Sequence, residues 1–172
     1  MAVRKRPSDY QENSIRVLKG LEPVKSRPGM YTLTDNPLHI IQEVLDNASD
    51  EVLGGFGDTI TLTMCADGSV AVEDNGRGIP VGIHPSEGIP TVELVFTQLH
   101  AGGKFDKASG GAYSFSGGLH GVGVSVTNAL SQHLNVTVWR DGKQYDIGFA
   151  DGFVSEPLTE QPSSRGKKYT GT

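Results

Sequence analysis

The side chains best placed for chemistry fall in three short stretches. Around Glu43-x-x-Asp46-Asn47, helical spacing of about 100° per residue gathers His39, Glu43, Asp46, Asn47 and Asp50 onto one narrow polar stripe. Ile40, Ile41, Val44, Leu45, Ala48 and Val52 occupy the adjoining arc, so the stripe borders the core-facing side and would lie along the edge of a cleft. A solvated face is the plainer reading of acids in a row, and spacing alone favours it. Glu51 breaks the pattern, because it falls inside the apolar arc, where an unpaired carboxylate would cost several kcal/mol. It needs a cationic partner, and Arg77 is the candidate.

The second stretch, Asp74-Asn-Gly76-Arg77-Gly78-Ile79-Pro80, follows an alternating strand. Its glycines let the backbone approach a flat ligand closely. Asp74 offers an acceptor-only carboxylate, suited to an exocyclic amine such as the adenine amino group. A glycine-rich turn with no ligand fits the same residues. The third stretch, Ser116-Gly-Gly118-Leu119-His120-Gly121-Val122-Gly123, runs straight into a helix, so its N–H groups and the helix dipole could cradle phosphates. It does not match the dinucleotide fingerprint, and no G-x-x-x-x-G-K-[ST] loop occurs, which disfavours both common nucleotide folds. Eight of the chain's 23 glycines fall between positions 102 and 123. That crowding makes 101–117, with Lys104 inside it, a lid over a ligand or else a plain surface loop.

These residues need elements to hold them. Residues 1–13 are polar and read as an arm, and 14–19, closed by Gly20, predicts a short helix. Residues 26–31 form a turn. Asn36-Pro37 supplies an N-cap with proline at the first helical position, opening a helix that runs to Gly54-Gly55. A hairpin follows, with Ile60, Leu62 and Met64 alternating, a turn at Asp67-Gly68, and Val70 and Val72 returning toward Asp74. Residues 91 to about 99 and 124–130 read as helices. A second hairpin turns at Asp141-Gly142 from 136–139 into 145–149, and 169–172 reads as the beginning of a strand.

At 172 residues the chain fits one domain with a core of its own. Fifteen basic against twenty acidic residues give a net charge of −5, which argues against gripping DNA by phosphate neutralisation. Arg4-Lys5-Arg6 reads as a solvated terminus. The single Cys65 lies beside an alternating run and reads as a half-buried strand residue rather than a nucleophile or ligand. One cysteine and no signal-like start suggest a reducing cytoplasm. The apolar runs are too short to cross a bilayer, so no membrane role is expected.

Taken together and in this order, the three stretches resemble the gyrase, Hsp90, histidine kinase and MutL superfamily. Within it, Arg27-Pro-Gly-Met-Tyr31, Leu99-His-Ala-Gly-Gly-Lys-Phe105 and Ser116-Gly-Gly-Leu-His-Gly-Val-Gly-Val-Ser125 resemble the B subunits of bacterial type II topoisomerases along nearly the whole chain. Met30-Tyr-Thr32, Pro37-x-His39-x-x-Gln42-Glu43, Tyr113-Ser-Phe115-Ser and Trp139-Arg-Asp-Gly-x-x-Tyr145 are more similar to topoisomerase IV than to gyrase. The glutamate four residues before the asparagine separates the chain from sensor kinases.

The resemblance implies an α+β fold, a two-layer sandwich of a mixed β-sheet with helices on one face (the Bergerat ATP-binding fold), over 14–172. It implies ATP and Mg2+ as ligands. Glu43 would be the general base toward the water attacking the γ-phosphate, with His39 hydrogen-bonded to it, and Asn47 the magnesium ligand. Asp74 would read adenine with Thr172 as a second contact, and Gly78 and Ile79 would line that pocket. Lys104, Gly118, Leu119, His120, Gly121, Val122, Gly123 and Val124 would cradle the polyphosphate, and Tyr10 would reach the nucleotide of a partner copy. Arg77 would pair with Glu51 and, with Pro80 and Arg140, line a pocket for aminocoumarin-type inhibitors. The implied partners are the topoisomerase IV A subunit in a heterotetramer, DNA through the whole enzyme, and, on ATP binding, a second B subunit. A transducer domain with a lysine for the γ-phosphate is expected beyond Thr172, and its absence implies weak turnover and poor dimerisation. A clamp that only dimerises, or a gyrase B subunit, is the alternative.

Overall fold

A computed structural model of the chain describes residue 15, residues 17–101 and residues 123–172. Among the described residues four α-helices, α1 (Glu22–Ser26), α2 (His39–Leu53), α3 (Thr91–Thr97) and α4 (Gly123–Leu130), accompany five strands. The strands are β1 (Ile60–Met64), β2 (Val70–Asp74), β3 (His133–Arg140), β4 (Lys143–Ala150) and β5 (Phe153–Pro162). β1 and β2 pair antiparallel with Ile60 opposite Asp74 and Met64 opposite Val70. β3, β4 and β5 form a second antiparallel ladder in that order.

The seam between the two ladders is filled by the last residues of the chain. Gly171 exchanges both backbone hydrogen bonds with Trp139 of β3, at 2.9 and 3.0 Å, and the Asp74 N–H of β2 donates to the Thr172 carbonyl at 3.0 Å. The strand expected to begin at 169–172 therefore starts where it joins the two halves of the sheet. It is tied down by side chains as well. Glu73 accepts from Tyr169 Oη at 2.7 Å and from Arg165 at 2.8 Å, and Tyr169 meets Trp139 edge-on at 5.5 Å.

The helices cover one face of the sheet, giving the α+β two-layer arrangement expected from the sequence. Val92 and Phe96 of α3 pack on Val136, Val138, Ile147 and Phe149 of β3 and β4, with the rings of Phe96 and Phe149 5.5 Å apart. Removing a side chain such as Phe149 from water is worth about 2–3 kcal/mol. A smaller cluster joins Leu21 and Val24, around α1, to Val126 and Ala129 of α4, with Tyr31 against it.

Four local expectations need correction. Residue 15 and residues 17–19 are not helical. The chain turns at Gly20 (φ +55°), and the first helix forms only after it, with Pro23 in the first turn of α1. Helix α2 starts at His39, two residues after Pro37, because Asn36 folds a turn ahead of it, its side chain accepting from Leu38 N–H at 3.2 Å and its carbonyl from His39 N–H at 3.0 Å. Leu62 and Met64 alternate as expected but remain 51% and 81% exposed, since β1 is an outer strand. Cys65 lies one residue past β1 and is exposed. Strand β5 went unread, although Asp151-Gly152 carries the same left-handed pair (φ +48° and +78°) as Asp141-Gly142 (+55° and +75°), the signature of a two-residue hairpin.

Candidate functional site

Helix α2 sets the first wall. Its four-residue spacing places His39, Glu43 and Asn47 in one row. Asn47 donates its amide nitrogen to the Glu43 carbonyl at 3.0 Å, which ties its side chain to the helix that carries Glu43. Opposite lies the first turn of α4. Thr127 Oγ1 donates to the Ile40 carbonyl at 2.8 Å, drawing the two helices so close that a Cβ at Gly123 would collide with Glu43 Oε2. The Glu43 carboxylate therefore lies against Gly123 in the first described turn of α4, where an added Cβ would force it to move. Val124 packs its side chain into the main core.

His39 is corrected in one respect. Its described hydrogen bond runs from Nδ1 to Thr32 Oγ1, at 2.8 Å, rather than to Glu43. The sequence singled out Thr32 only as part of a family block, because a contact across seven residues and a turn leaves no periodic signal.

The continuation of the same helix explains Glu51. It is 9% exposed and is held by Arg77 three times, through the backbone N–H at 2.9 Å, Nε at 3.1 Å and Nη2 at 2.8 Å. The guanidinium also lies over the Phe56 ring, 3.5 Å from its centre. A planar fork on a carboxylate and an aromatic face is what arginine, and not lysine, supplies. The pairing inferred from helical spacing is therefore present. Asp50, assigned to the polar stripe, is fully buried, so that side of α2 is no solvated face.

Strand β2 delivers Asp74 to the second wall. Its carboxylate is 8% exposed and accepts from Gly76 N–H at 2.8 Å, closing an Asx turn. Burial pushes the Asp74 carboxyl up to about 6, against the pull of the Gly76 N–H and with help from the nearby Glu51 and Glu73 charges. A Cβ at Gly76 would stand 2.7 Å from Glu51 and 2.8 Å from Asp74 Oδ1, so the glycine lets the two acids share one turn. Gly78 has φ +73°, and a Cβ added there would stand 3.0 Å from the Gly171 and Trp139 carbonyl oxygens. The C-terminal residue closes this wall, since the Ile79 N–H donates to Thr172 Oγ1 at 3.2 Å. Arg140 reaches across from β3 to the Gly78 carbonyl at 2.9 Å, beside the exposed Pro80.

The structure thus brings Glu43, Asn47 and Gly123 together on one side, Asp74, Gly78, Ile79 and Thr172 on the other, and joins them through Glu51–Arg77. Tyr10, Lys104, Gly118, Leu119, His120, Gly121 and Val122, with the arm and the lid, lie outside the described residues. Among the described residues no three His, Cys, Asp or Glu side chains form a metal cluster, and no helix is long and apolar enough to cross a membrane.

A helix-and-sheet sandwich with an acid and an amide on one helix, and a buried acceptor at a strand end, defines a class of ATP-binding domain. The family profile described as histidine kinase-, DNA gyrase B- and HSP90-like ATPase matches residues 33–170, and the chain belongs to that family. Among curated relatives it is 53% identical over 95% of its length to the B subunit of DNA topoisomerase 4 from Francisella tularensis. It is 52% identical over 95% of its length to the same protein from Escherichia coli, and 53% identical, again over 95%, to the B subunit of DNA gyrase from Rickettsia typhi. It spans 26%, 25% and 20% of those proteins respectively. Its structure is similar to the topoisomerase IV ATP-binding domain of Francisella tularensis in complex with a small-molecule inhibitor, with a TM-score of 0.73, 47% identity and coverage of 90% of this chain and 70% of that one. It is likewise similar to the 43K ATPase domain of Thermus thermophilus gyrase B in complex with an aminocoumarin, with a TM-score of 0.71, 43% identity and coverage of 88% and 37%.

Proposed function

We propose that the chain is the ATP-binding and ATP-hydrolysing gate of a cytoplasmic bacterial type II topoisomerase, of the topoisomerase IV kind. The observation that carries this reading is the placement of Glu43 against the first described turn of α4, one helical turn from Asn47, in a chain that also buries Asp74 at the end of β2. Asp74 accepts a hydrogen bond from the adenine amino group, and the Thr172 hydroxyl stands beside it. Glu43 takes the proton of the water that attacks the γ-phosphate. A magnesium ion would be held through the Asn47 amide oxygen together with phosphate oxygens, and would neutralise phosphate charge. The Glu51–Arg77 pair fixes the turn that carries Asp74 and, with Pro80 and Arg140, borders the pocket proposed for aminocoumarin-type inhibitors. The partners proposed for the whole enzyme are its A subunit, DNA and a second B subunit.

Glu43→Gln tests the chemistry: nucleotide binding should persist while hydrolysis falls by at least about a hundredfold, the usual weight of a general base. Full hydrolysis in that variant would remove Glu43 from the role. Gyrase B is the second reading, favoured by a relative as similar as those of topoisomerase IV. Decatenation without negative supercoiling, by the full-length protein with its partner subunit, supports the topoisomerase IV reading, and introduction of negative supercoils would replace it with gyrase.

A further inference from the structure

Asn75 stands between Asp74 and Gly76, and its whole side chain is engaged by a segment outside the proposed site. Its Oδ1 accepts from the backbone N–H groups of Asp58 and Thr59, both at 3.0 Å, and its Nδ2 donates to Asp58 Oδ1 at 2.8 Å. Its own N–H donates to the Thr59 carbonyl at 3.3 Å. The amide can sit only this way round, since a flipped one would set its NH2 against two N–H donors and its oxygen against a carboxylate. Asp58 also receives the Thr59 hydroxyl at 2.8 Å. These donors, Asn75 first, hold the Asp58 carboxyl below the usual carboxylate range.

Gly57 shows what this clamp presses on. A Cβ added there would stand 2.8 Å from Asn75 Oδ1 and 3.1 Å from both the Asn75 carbonyl carbon and the Gly76 nitrogen. The last two atoms belong to one peptide unit, and its N–H is the one that donates to Asp74 Oδ1 at 2.8 Å. Residues 57–59 therefore lie directly against the peptide that holds the acid. The next N–H along, that of Arg77, is held by Glu51 at 2.9 Å. The turn is thus fixed from two separate elements, the loop before β1 through Asn75 and helix α2 through Glu51.

We infer that Asn75 is a positioning residue for nucleotide recognition: by clamping residues 57–59 onto the 75–76 peptide it fixes the Gly76 N–H that orients the Asp74 carboxylate, and so sharpens the preference for adenine over guanine. The inference rests on the reading of Asp74 as the acceptor for the adenine amino group. Guanine carries a carbonyl oxygen where adenine carries that amine, so a carboxylate held in one direction accepts from the first base and repels the second. A carboxylate free to turn discriminates less.

Calorimetric titration of the chain with ADP and with GDP, each with magnesium, tests it. Asn75→Ala should weaken ADP about three- to tenfold, the weight of one orienting hydrogen bond, and leave GDP within about twofold, so that the preference narrows. A purely structural loss would weaken both alike. Asn75→Asp keeps an acceptor for the two N–H groups but sets a second carboxylate against Asp58, and should lose as much preference. Adding Asp58→Asn restores a donor to the pair and should return the preference to within about twofold of the unaltered chain. This exchanged pair carries the test by itself if Asn75→Ala is too unstable to purify. Amide exchange gives the local reading: Asn75→Ala should speed exchange at Gly76, while the Trp139 amide, bonded to the Gly171 carbonyl, keeps its protection. An unchanged ADP-to-GDP ratio in Asn75→Ala would overturn the inference, as would an exchanged pair as poor as Asn75→Asp alone. The two readings fail separately. If Asp74→Asn loses the preference while Asn75→Ala keeps it, the reader stands and the positioning role falls. If Asp74→Asn keeps the preference, Asp74 is not the reader, whatever Asn75 does.

Discussion

Replacing Asp74 by asparagine should stabilise the chain and weaken its hold on adenine nucleotides. The Gly76 N–H to Oδ1 bond survives, because an amide oxygen also accepts; what disappears is a buried charge. The Asp74 carboxyl is moved from 3.8 to about 6, chiefly by burial. At about 1.4 kcal/mol per pH unit this amounts to about 3 kcal/mol as a ceiling, and to about 2 kcal/mol once water in the cleft is allowed for. The sign follows from linkage. The folded chain holds this proton more tightly than the unfolded chain, so the group costs nothing below about pH 4, costs progressively more as the pH rises to about 6, and carries its full penalty above that. Urea unfolding should therefore give coincident stabilities for the two proteins near pH 4 and an advantage of about 2 kcal/mol for D74N by about pH 8. Nucleotide affinity should behave oppositely. Since the adenine amino group needs the carboxylate, binding by the unaltered chain should weaken about tenfold per pH unit below about 6, relative to D74N. Because phosphate titration is common to both proteins, the ratio isolates Asp74. A stability gap independent of pH, or D74N the less stable protein at high pH, would refute the argument.

Arg77→Ala should destabilise the chain by about 2 kcal/mol, because it leaves Glu51 buried without its cation, a cost moderated by the partial exposure of the guanidinium; chemical denaturation reads it directly. Gly123→Ala should displace the Glu43 carboxylate, slowing hydrolysis by at least about tenfold while binding changes little, as expected of an interaction realised in the transition state; equal kinetics would mean that α4 yields instead. Gly171→Ala places a Cβ into the Asp74 carbonyl at φ +148°. It should open the seam between the ladders, with faster amide exchange at Trp139, Asp74 and Ile79 and a stability loss of about 2–4 kcal/mol from the lost backbone bonds and strain; unchanged protection at those three amides would show that the seam does not depend on this contact.

The parts of the fold legible in the sequence are those written in local code. Helix α2 and both Asp-Gly hairpins follow from periodicity and from residues that tolerate left-handed backbone, and they appear close to where those signals put them. Glu51 was legible for a different reason. A charge on an apolar arc is a contradiction that only a partner resolves, and helical spacing exposed the contradiction even though nothing local named Arg77. What escaped was non-local. The burial of Asp50 depends on what packs over α2 from elsewhere in the chain, the exposure of Leu62 and Met64 on β1 having no outer neighbour among the described residues, and Thr32 on a contact that crosses a turn.

The seam shows why the chemistry was easier to read than its scaffold. Thr172 is far in sequence from Asp74 and Gly78, and each alone is an ordinary strand end or turn. Their meeting requires Gly171 to enter between β2 and β3, where a side chain would strike the Asp74 carbonyl. The same insertion satisfies the Asp74 N–H with the Thr172 carbonyl and leads Thr172 Oγ1 to the Ile79 N–H. The carboxylate proposed to read the base therefore sits where the two ladders are joined. Burial is also what raises the Asp74 carboxyl and makes the charge costly, so the stability given up at this acid and the closure of the sheet are one event, and a variant that relaxes the seam should lower the Asp74 pKa toward 3.8 as it loosens the site.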